Sequence, residues 1–174
     1  MNPRSACTTT LVGLMACTAL PSLADDITTF SVRVVDATGH AIGPYADNAV
    51  FVTIDGRKTA IFLGPLQANP AYLDYNPQVY LFFSEPDCTG TLYILAGNGV
   101  QGALPSAVQH RADGDYLYIA DSRAYRSDLK AQSAYTNTKG APSCQAQQNQ
   151  LQGYPATTAP VNLAQHFQLP FTLK

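Results

Sequence analysis

The residues of this 174-residue chain that could do chemistry are few and widely spaced. Its three histidines, His40, His110 and His166, lie far apart in turn-like or polar sequence, and Asp113 and Asp115 form a tight acidic pair. Histidine and aspartate together are the residue types of general acid–base catalysis, and clustered aspartates are typical of calcium sites. These are the two kinds of chemistry that the sequence offers.

No familiar catalytic motif accompanies them. The sequence lacks a GxSxG nucleophile elbow, an HExxH zinc motif and a glycine-rich phosphate loop. Asp87 and Asp121 could add oxygens to the acidic pair, but the EF-hand spacing is missing, so a polar turn before a strand is favoured over calcium. Glu85 is the single glutamate, and no spacing supports the two facing carboxylates of a glycosidase. We therefore expect no catalytic residue, metal or cofactor.

A small hydrolase with an Asp/His site on loops is the alternative. A pocket that unites His110 or His40 with Asp113, Asp115 or Asp121 would contradict the binding module and favour this hydrolase. Scattered histidines and a flat tyrosine surface would contradict the hydrolase and favour the binding module.

The ten tyrosines point to contact surfaces rather than to catalysis. Tyr72 and Tyr75 lie in a stretch rich in proline and asparagine (Gly64–Pro77), which predicts a loop. Exposed tyrosines bind partners at low entropic cost, so we predict Tyr72 and Tyr75 as binding residues. Tyr116 and Tyr118 alternate along one strand and are expected on its half-buried face.

The N-terminus has the layout of a secretory signal peptide. Arg4 precedes an apolar run of ten residues (Leu11–Leu20), and small residues follow it up to Ala24. Cleavage there would divide the chain into a signal peptide (1–24) and an exported domain of 150 residues (25–174), in the periplasm or the medium. The alternative is a lipoprotein: Leu-Met-Ala-Cys resembles a lipobox, with Cys17 as the lipidated residue.

The four cysteines divide between these two parts. Cys7 and Cys17 precede the cleavage site, which leaves Cys88 and Cys144 in the exported domain. A pair of cysteines in an oxidising compartment predicts a disulfide, which would close a loop of 57 residues. Two unpaired buried cysteines are less favoured because both lie in turn-like sequence, and neither has the CxxC partner of a metal site.

Composition excludes two classes of partner. Without Arg4 the exported domain has a formal charge of −3 and no basic run, so nucleic acid is not expected. No second apolar stretch approaches 18 residues, so we expect no transmembrane helix in the mature chain. The remaining partners are a surface, protein or glycan of unknown identity, or a second copy in a homo-oligomer.

Short alternating segments separated by turns predict an all-β sandwich or barrel of six to nine antiparallel strands. The clearest is a hairpin over Ala49–Leu63 around the turn Asp55-Gly56, with its tip in solvent and its base buried on both sides. We expect a polar loop over Gln145–Gln152, a helical turn within Asn162–Phe167 and a terminal edge strand over Leu169–Leu173.

Four features together resemble a group of small, mostly uncharacterised exported bacterial β-rich proteins. They are the signal peptide, the start Val32–Gly39 with its VxD-x-x-G pattern, the block Tyr80–Gly90 with its DC-x-G pattern followed by Cys144, and the closing Pro170-Phe171. The resemblance implies an exported β-rich domain with one cysteine pair, and it carries no catalytic residue. The sequence thus favours a non-enzymatic binding or structural module of the envelope or medium.

Overall fold

The computed structural model describes residues 32–64, 67–68, 71–75, 80–138 and 141–174. The predicted signal peptide, with Cys7 and Cys17, lies outside these residues. None of the helices in the described ranges has the length and apolar character needed to span a membrane.

The described residues form a nearly all-β fold, as predicted, but with more strands than the expected six to nine. Nine strands have four residues or more, and five shorter strands add to them. All strand pairings are antiparallel. The strands are β1 (Arg33–Val35), β2 (Ala41–Ala46), β3 (Ala49–Ile54), β4 (Arg57–Phe62), β5 (Gln67–Ala68), β6 (Ala71–Tyr72), β7 (Tyr80–Phe83), β8 (Leu92–Leu95), β9 (Ser106–Arg111), β10 (Gly114–Ile119), β11 (Arg126–Thr136), β12 (Ser143–Ala156), β13 (Val161–Asn162) and β14 (Thr172–Leu173).

These strands form three principal sheets. One has five strands in the order β14-β1-β2-β3-β4, a second has the order β13-β10-β9, and β11-β12-β8-β7 closes into a four-stranded barrel. The β9–β10 hairpin lies between two apolar cores. Its Val108 and Leu117 belong to the core shared with the five-stranded sheet, whereas Ala107 and Tyr118 belong to the core that fills the barrel.

The predicted β3–β4 hairpin is confirmed in its register. Ile54 pairs with Arg57, and the pairs continue without a shift to the base of the hairpin. Asp55 and Gly56 have φ angles of 50° and 74°, which are the positive values that a type I′ turn requires.

The tip of this hairpin is less exposed than predicted. Asp55 and Gly56 face solvent, but Ile54 is only 2% exposed. Arg57 pairs with Ile54 on the neighbouring strand, and its guanidinium donates to the carbonyls of Ile119 and Ala120 at 2.8 and 2.7 Å. The tip is therefore fastened to the end of β10.

The glutamine-rich segment Gln145–Gln152 is a strand, so the prediction of a loop is wrong. It lies within β12, which pairs with β11 to form the longest hairpin of the chain. Eight of the ten residues from 143 to 152 are exposed. Because neither face of this stretch is buried, it carries no apolar alternation from which a strand could be recognised.

The segment Gly64–Pro77 also contains more structure than the predicted loop. β5 pairs with β6, Leu63 bridges to Tyr75, and Leu73 bridges to Phe171. Leu73 is fully buried, which ties this segment to the first core.

Both C-terminal elements form where they were predicted, although the strand spans only Thr172–Leu173 of the expected Leu169–Leu173. A 3-10 turn forms at Leu163–Gln165, where the Asn162 side chain accepts from the backbone N–H of Ala164 at 3.0 Å. β14 is an edge strand of the five-stranded sheet. A second 3-10 turn, which was not predicted, spans Ala96–Asn98.

The predicted disulfide is confirmed as well. Cys88 and Cys144 are bonded, with their Cα atoms 6.0 Å apart. The bond joins the turn between β7 and β8 to the beginning of β12, so it fastens one hairpin of the barrel to the other.

Candidate functional site

The β9–β10 hairpin brings His110 and Asp115 together. Ala112 and Asp113 form its turn, which places the two residues directly opposite each other. The Nδ1 atom of His110 contacts a carboxylate oxygen of Asp115. The His110 side chain is 6% exposed and that of Asp115 is 20% exposed, so the pair lies just below the surface.

The backbone of His110 is held by neighbouring side chains. Its N–H donates to the amide oxygen of Asn137 at 2.7 Å, and its carbonyl accepts from the Tyr135 hydroxyl at 3.2 Å. The Asn137 amide in turn donates to the carbonyl of Val108 at 2.6 Å. Asn137 is 1% exposed, so these bonds form a buried polar bridge between β9 and the segment after β11.

A second set of polar contacts lies on the opposite face of the hairpin. The oxygen of the Gln109 amide accepts from Arg111 at 2.8 Å and from the Tyr118 hydroxyl at 3.2 Å. Arg111 also donates to the Tyr118 hydroxyl at 2.7 Å and lies 4.4 Å above the ring of Tyr116. Burial raises the pKa of Tyr118, although the Arg111 charge opposes that shift.

A cleft of about 390 Å³ opens at the His110–Asp115 pair. Its described lining residues are His110, Arg111, Ala112, Gly114, Asp115, Thr138 and Pro142. The structure thus produces the pocket that was expected to contradict a binding module and to favour a hydrolase. Among these lining residues Thr138 carries the one hydroxyl that could serve as a nucleophile.

The other candidate residues lie apart from this pair. His40 is exposed in the turn before β2, and His166 follows the C-terminal 3-10 turn. Asp113 accepts from the Tyr116 hydroxyl at 2.8 Å, and Asp121 accepts from the backbone N–H of Thr157 at 3.0 Å. In the described ranges, no three histidines, cysteines or acidic residues come together as metal ligands would.

Of the two predicted binding tyrosines, only Tyr75 has a side chain that the structure describes. The side chain of Tyr72 lies outside the described part of the structure. Tyr75 is only 5% exposed and packs edge-on against Phe171 at 5.2 Å, which corrects the exposed position that the prediction assumed. Burial, with the nearby charges of Asp115 and Asp74, raises its pKa well above the ordinary range. Tyr75 lines a second cleft beside Asp115, and ligand binding there stays a prediction.

A row of aromatic side chains on the outside of the barrel was not predicted from the sequence. Phe82 pairs with Tyr93 across β7 and β8, and Tyr93 pairs with Pro155 across β8 and β12. Opposed residues share a face of a sheet, so the three side chains form one cross-strand row. Tyr80 continues it at 6.5 Å from Phe82 and is 49% exposed. We call Tyr80, Phe82, Tyr93 and Pro155 the outer row.

The residues between them face inwards. Leu81, Phe83, Leu92 and Ile94 alternate with the outer row and are 0–2% exposed. The rigid interior therefore fixes the direction of the outer aromatic rings. The alternation in Tyr80–Phe83 and in Leu92–Leu95 is visible in the sequence, but both alternating sets are apolar, so it does not show which set is outside.

The outer row ends in a polar cleft of about 500 Å³. Its charged lining residues are Asp121, Arg126, Asp128 and Lys130, and its other lining residues are Thr91, Tyr93, Leu129, Pro155 and Thr157. Arg126 donates to both oxygens of Asp128, at 3.2 and 3.1 Å. This bond raises the pKa of Arg126 and lowers the pKa of Asp128.

The chain matches no protein-family model, no curated protein and no solved structure. Its resemblance to small exported bacterial β-rich proteins therefore stays a prediction, and function is argued from the sites themselves.

Proposed function

We propose that this chain is an exported, non-enzymatic β module that binds a component of the cell envelope or the medium through the outside of its barrel. The observation that supports this proposal is the outer row, in which Tyr80 is exposed and Phe82, Tyr93 and Pro155 are half-buried on the outer face of a sheet whose interior is already filled. Contiguous exposed apolar surface is typical of interaction sites in soluble proteins.

The row is suited to binding by its rigidity. The two rings at its centre lie on paired strands of a closed barrel, and the Cys88–Cys144 disulfide joins the two hairpins of that barrel. A rigid aromatic side chain loses little conformational freedom when a partner covers it, so more of the contact energy remains for binding.

Export is the second part of the proposal. It is supported by the signal-peptide pattern of residues 1–24 and is compatible with the disulfide, because disulfides persist in oxidising compartments. The proposed location is the periplasm or the medium. A lipoprotein anchored at Cys17 is the alternative form.

The experiment is to express the full chain in a bacterial host that exports proteins, fractionate the cells and determine the intact mass of the product. We expect a chain that begins at Asp25, lacks free thiols and sediments with insoluble envelope material. A product retained in the cytoplasm with its N-terminus intact would overturn export. A mature product that stays in the supernatant at every concentration of envelope material would overturn binding.

A small hydrolase is the second candidate, and the His110–Asp115 pair favours it. In Ser-His-Asp enzymes a carboxylate holds Nδ1 of the histidine, which leaves Nε2 to activate a nucleophile. Asp115 contacts Nδ1 of His110 in this way, beside a cleft to which Thr138 contributes a hydroxyl.

Two features support binding over hydrolysis. The backbone of His110 is used in the buried bridge to Asn137, and the polar side chains on the reverse face of the hairpin bond to one another. A structural role therefore accounts for much of the polar cluster. The test is hydrolysis of p-nitrophenyl esters and glycosides by the mature protein and by His110→Gln. The hydrolase would be established instead if the wild type turned over a substrate and His110→Gln did not, provided that the variant kept the wild-type circular dichroism spectrum.

A further inference from the structure

From the polar cleft at the end of the outer row we infer that the ligand is a neutral glycan, whose sugar rings lie against the aromatic side chains and whose hydroxyls enter the cleft. This inference rests on the proposed binding function and names the chemical class of its ligand.

The charges of the cleft favour a neutral ligand. Asp121 and Asp128 supply two negative charges, and Arg126 and Lys130 supply two positive charges. A site built for a phosphate or a carboxylated polymer would carry an excess of positive charge, as basic patches for nucleic acids do. The balance here gives neither an anion nor a cation a net attraction.

The donors and acceptors of the cleft suit hydroxyl groups. A hydroxyl both donates and accepts, so it can bond to carboxylate oxygens and to guanidinium or ammonium N–H groups in the same site. Asp121 is held in place by Thr157, which donates to it from its backbone N–H and from its hydroxyl at 3.0 Å. Arg126 and Asp128 orient each other through two bonds. These groups are therefore ordered before a ligand arrives.

The aromatic side chains complete the site. A pyranose ring has an apolar face of C–H groups and a rim of hydroxyls, so it fits a surface where an aromatic ring adjoins polar side chains. Tyr93 belongs both to the outer row and to the lining of the cleft, and it is the residue that joins the two surfaces. The chain contains no tryptophan, so tyrosine and phenylalanine have to supply this platform.

The row also gives the ligand a direction. From the cleft, Tyr93 leads to Phe82 on the neighbouring strand and then to Tyr80. Neighbouring strands lie about 4.8 Å apart, a spacing comparable to the length of one sugar unit. We therefore expect a glycan chain to cross from β8 to β7 at Tyr93 and Phe82 and then to follow β7 to Tyr80.

The test measures co-sedimentation of the mature, oxidised protein with envelope material treated in two ways. Proteinase K removes protein partners, and periodate cleaves the vicinal diols of sugars. We expect binding to survive proteinase K and to be lost after periodate. We also expect it to persist in about 0.5 M NaCl, because salt screens charge–charge attraction but not contacts to a neutral ligand.

Variants locate the site. Tyr93→Ala should weaken binding on the order of tenfold. Arg126→Ala combined with Asp128→Ala should also weaken it, with little change in stability because the pair is exposed. Tyr45→Ala, on the five-stranded sheet, is the matched control and should bind as the wild type does.

The outcomes separate this inference from the proposed function. Binding that proteinase K abolishes and periodate spares would identify a protein partner, so the glycan inference would be wrong while the binding module stands. Binding lost in salt would contradict a neutral ligand. No binding to untreated material would overturn both.

Discussion

Phe82 and Tyr93 lie directly opposite each other on β7 and β8, with both rings on the outside of a barrel whose interior is filled by other side chains. Because Leu81, Phe83, Leu92 and Ile94 fill the interior, the two rings have no space inside the barrel. The same pairing that builds the barrel therefore also builds the proposed binding surface.

The disulfide should supply a large share of the stability. Replacing both Cys88 and Cys144 by serine frees a loop of 57 residues, and the chain-entropy account of such a loop gives a loss of about 4 kcal/mol. Urea unfolding of the variant and of the wild type measures the difference. Equal stability of the two proteins would show that the bond adds nothing to the fold.

Asn137 should be the most sensitive of the buried polar side chains. Asn137→Ala removes the partner of the His110 N–H and of the Val108 carbonyl, and both groups stay buried. We expect a loss of about 2–4 kcal/mol in urea unfolding. Gln148→Ala, on the exposed part of β12, is the control and should change stability by less than about 0.5 kcal/mol. If both variants unfold at the same urea concentration, the hydrogen bonds of Asn137 contribute nothing measurable to stability.

Two glycines test the turn of the β3–β4 hairpin. A Cβ atom added at Gly56 or at Gly97 would meet nothing within 4 Å, but only Gly56 has a positive φ, of 74°. Gly56→Ala should therefore cost about 1 kcal/mol through backbone strain alone. Gly97→Ala should be close to neutral, and thermal unfolding compares the pair. An equal effect of the two substitutions would rule out the type I′ conformation as the cause.

Two hairpin turns show how much of the register could be predicted from the sequence. The Asp55-Gly56 turn is specified by neighbouring residues, so its register followed from the sequence alone. The β9–β10 turn is less specific. A turn at Asp113-Gly114 would have placed His110 opposite Leu117, whereas the turn at Ala112-Asp113 places it opposite Asp115. A shift of one residue on each side of the turn decides whether the histidine has a carboxylate partner.

The outer row could not be predicted because the sequence does not show which face of its strands is outside. Phe82 and Tyr93 belong to strands whose two faces are both apolar, so the sequence shows a strand without showing its outside. Which face of these strands lies outside is decided by the closed barrel, whose interior contains Leu81 and Ile94. Similarly, β12 was missed because its exposed glutamines have no apolar period.

Alkaline pH should destabilise the protein partly through Tyr75. Burial raises the pKa of Tyr75 in the folded state above its value in the unfolded chain. The stabilising contribution of the neutral phenol is therefore complete below about pH 10 and is lost as the pH rises further, at about 1.4 kcal/mol per pH unit. Tyr75→Phe keeps the packing against Phe171 and removes the ionisable group.

We expect the free energy of unfolding of Tyr75→Phe to fall less steeply above pH 10 than that of the wild type. Phenolate absorbance gives a second measurement: the native variant should titrate as the native wild type does between pH 10 and 11. A native wild type with one additional tyrosine ionising in that interval would contradict the buried position of Tyr75.

The most direct measurement of the central claim is the affinity of the double variant Phe82→Ala, Tyr93→Ala for insoluble envelope material, beside the wild type and Tyr45→Ala. Circular dichroism establishes first that all three proteins are folded. The account predicts saturable binding by the wild type and by Tyr45→Ala, and a loss of more than about tenfold in the double variant. Unchanged binding by the folded double variant would contradict the claim that the outside of the barrel is the binding surface.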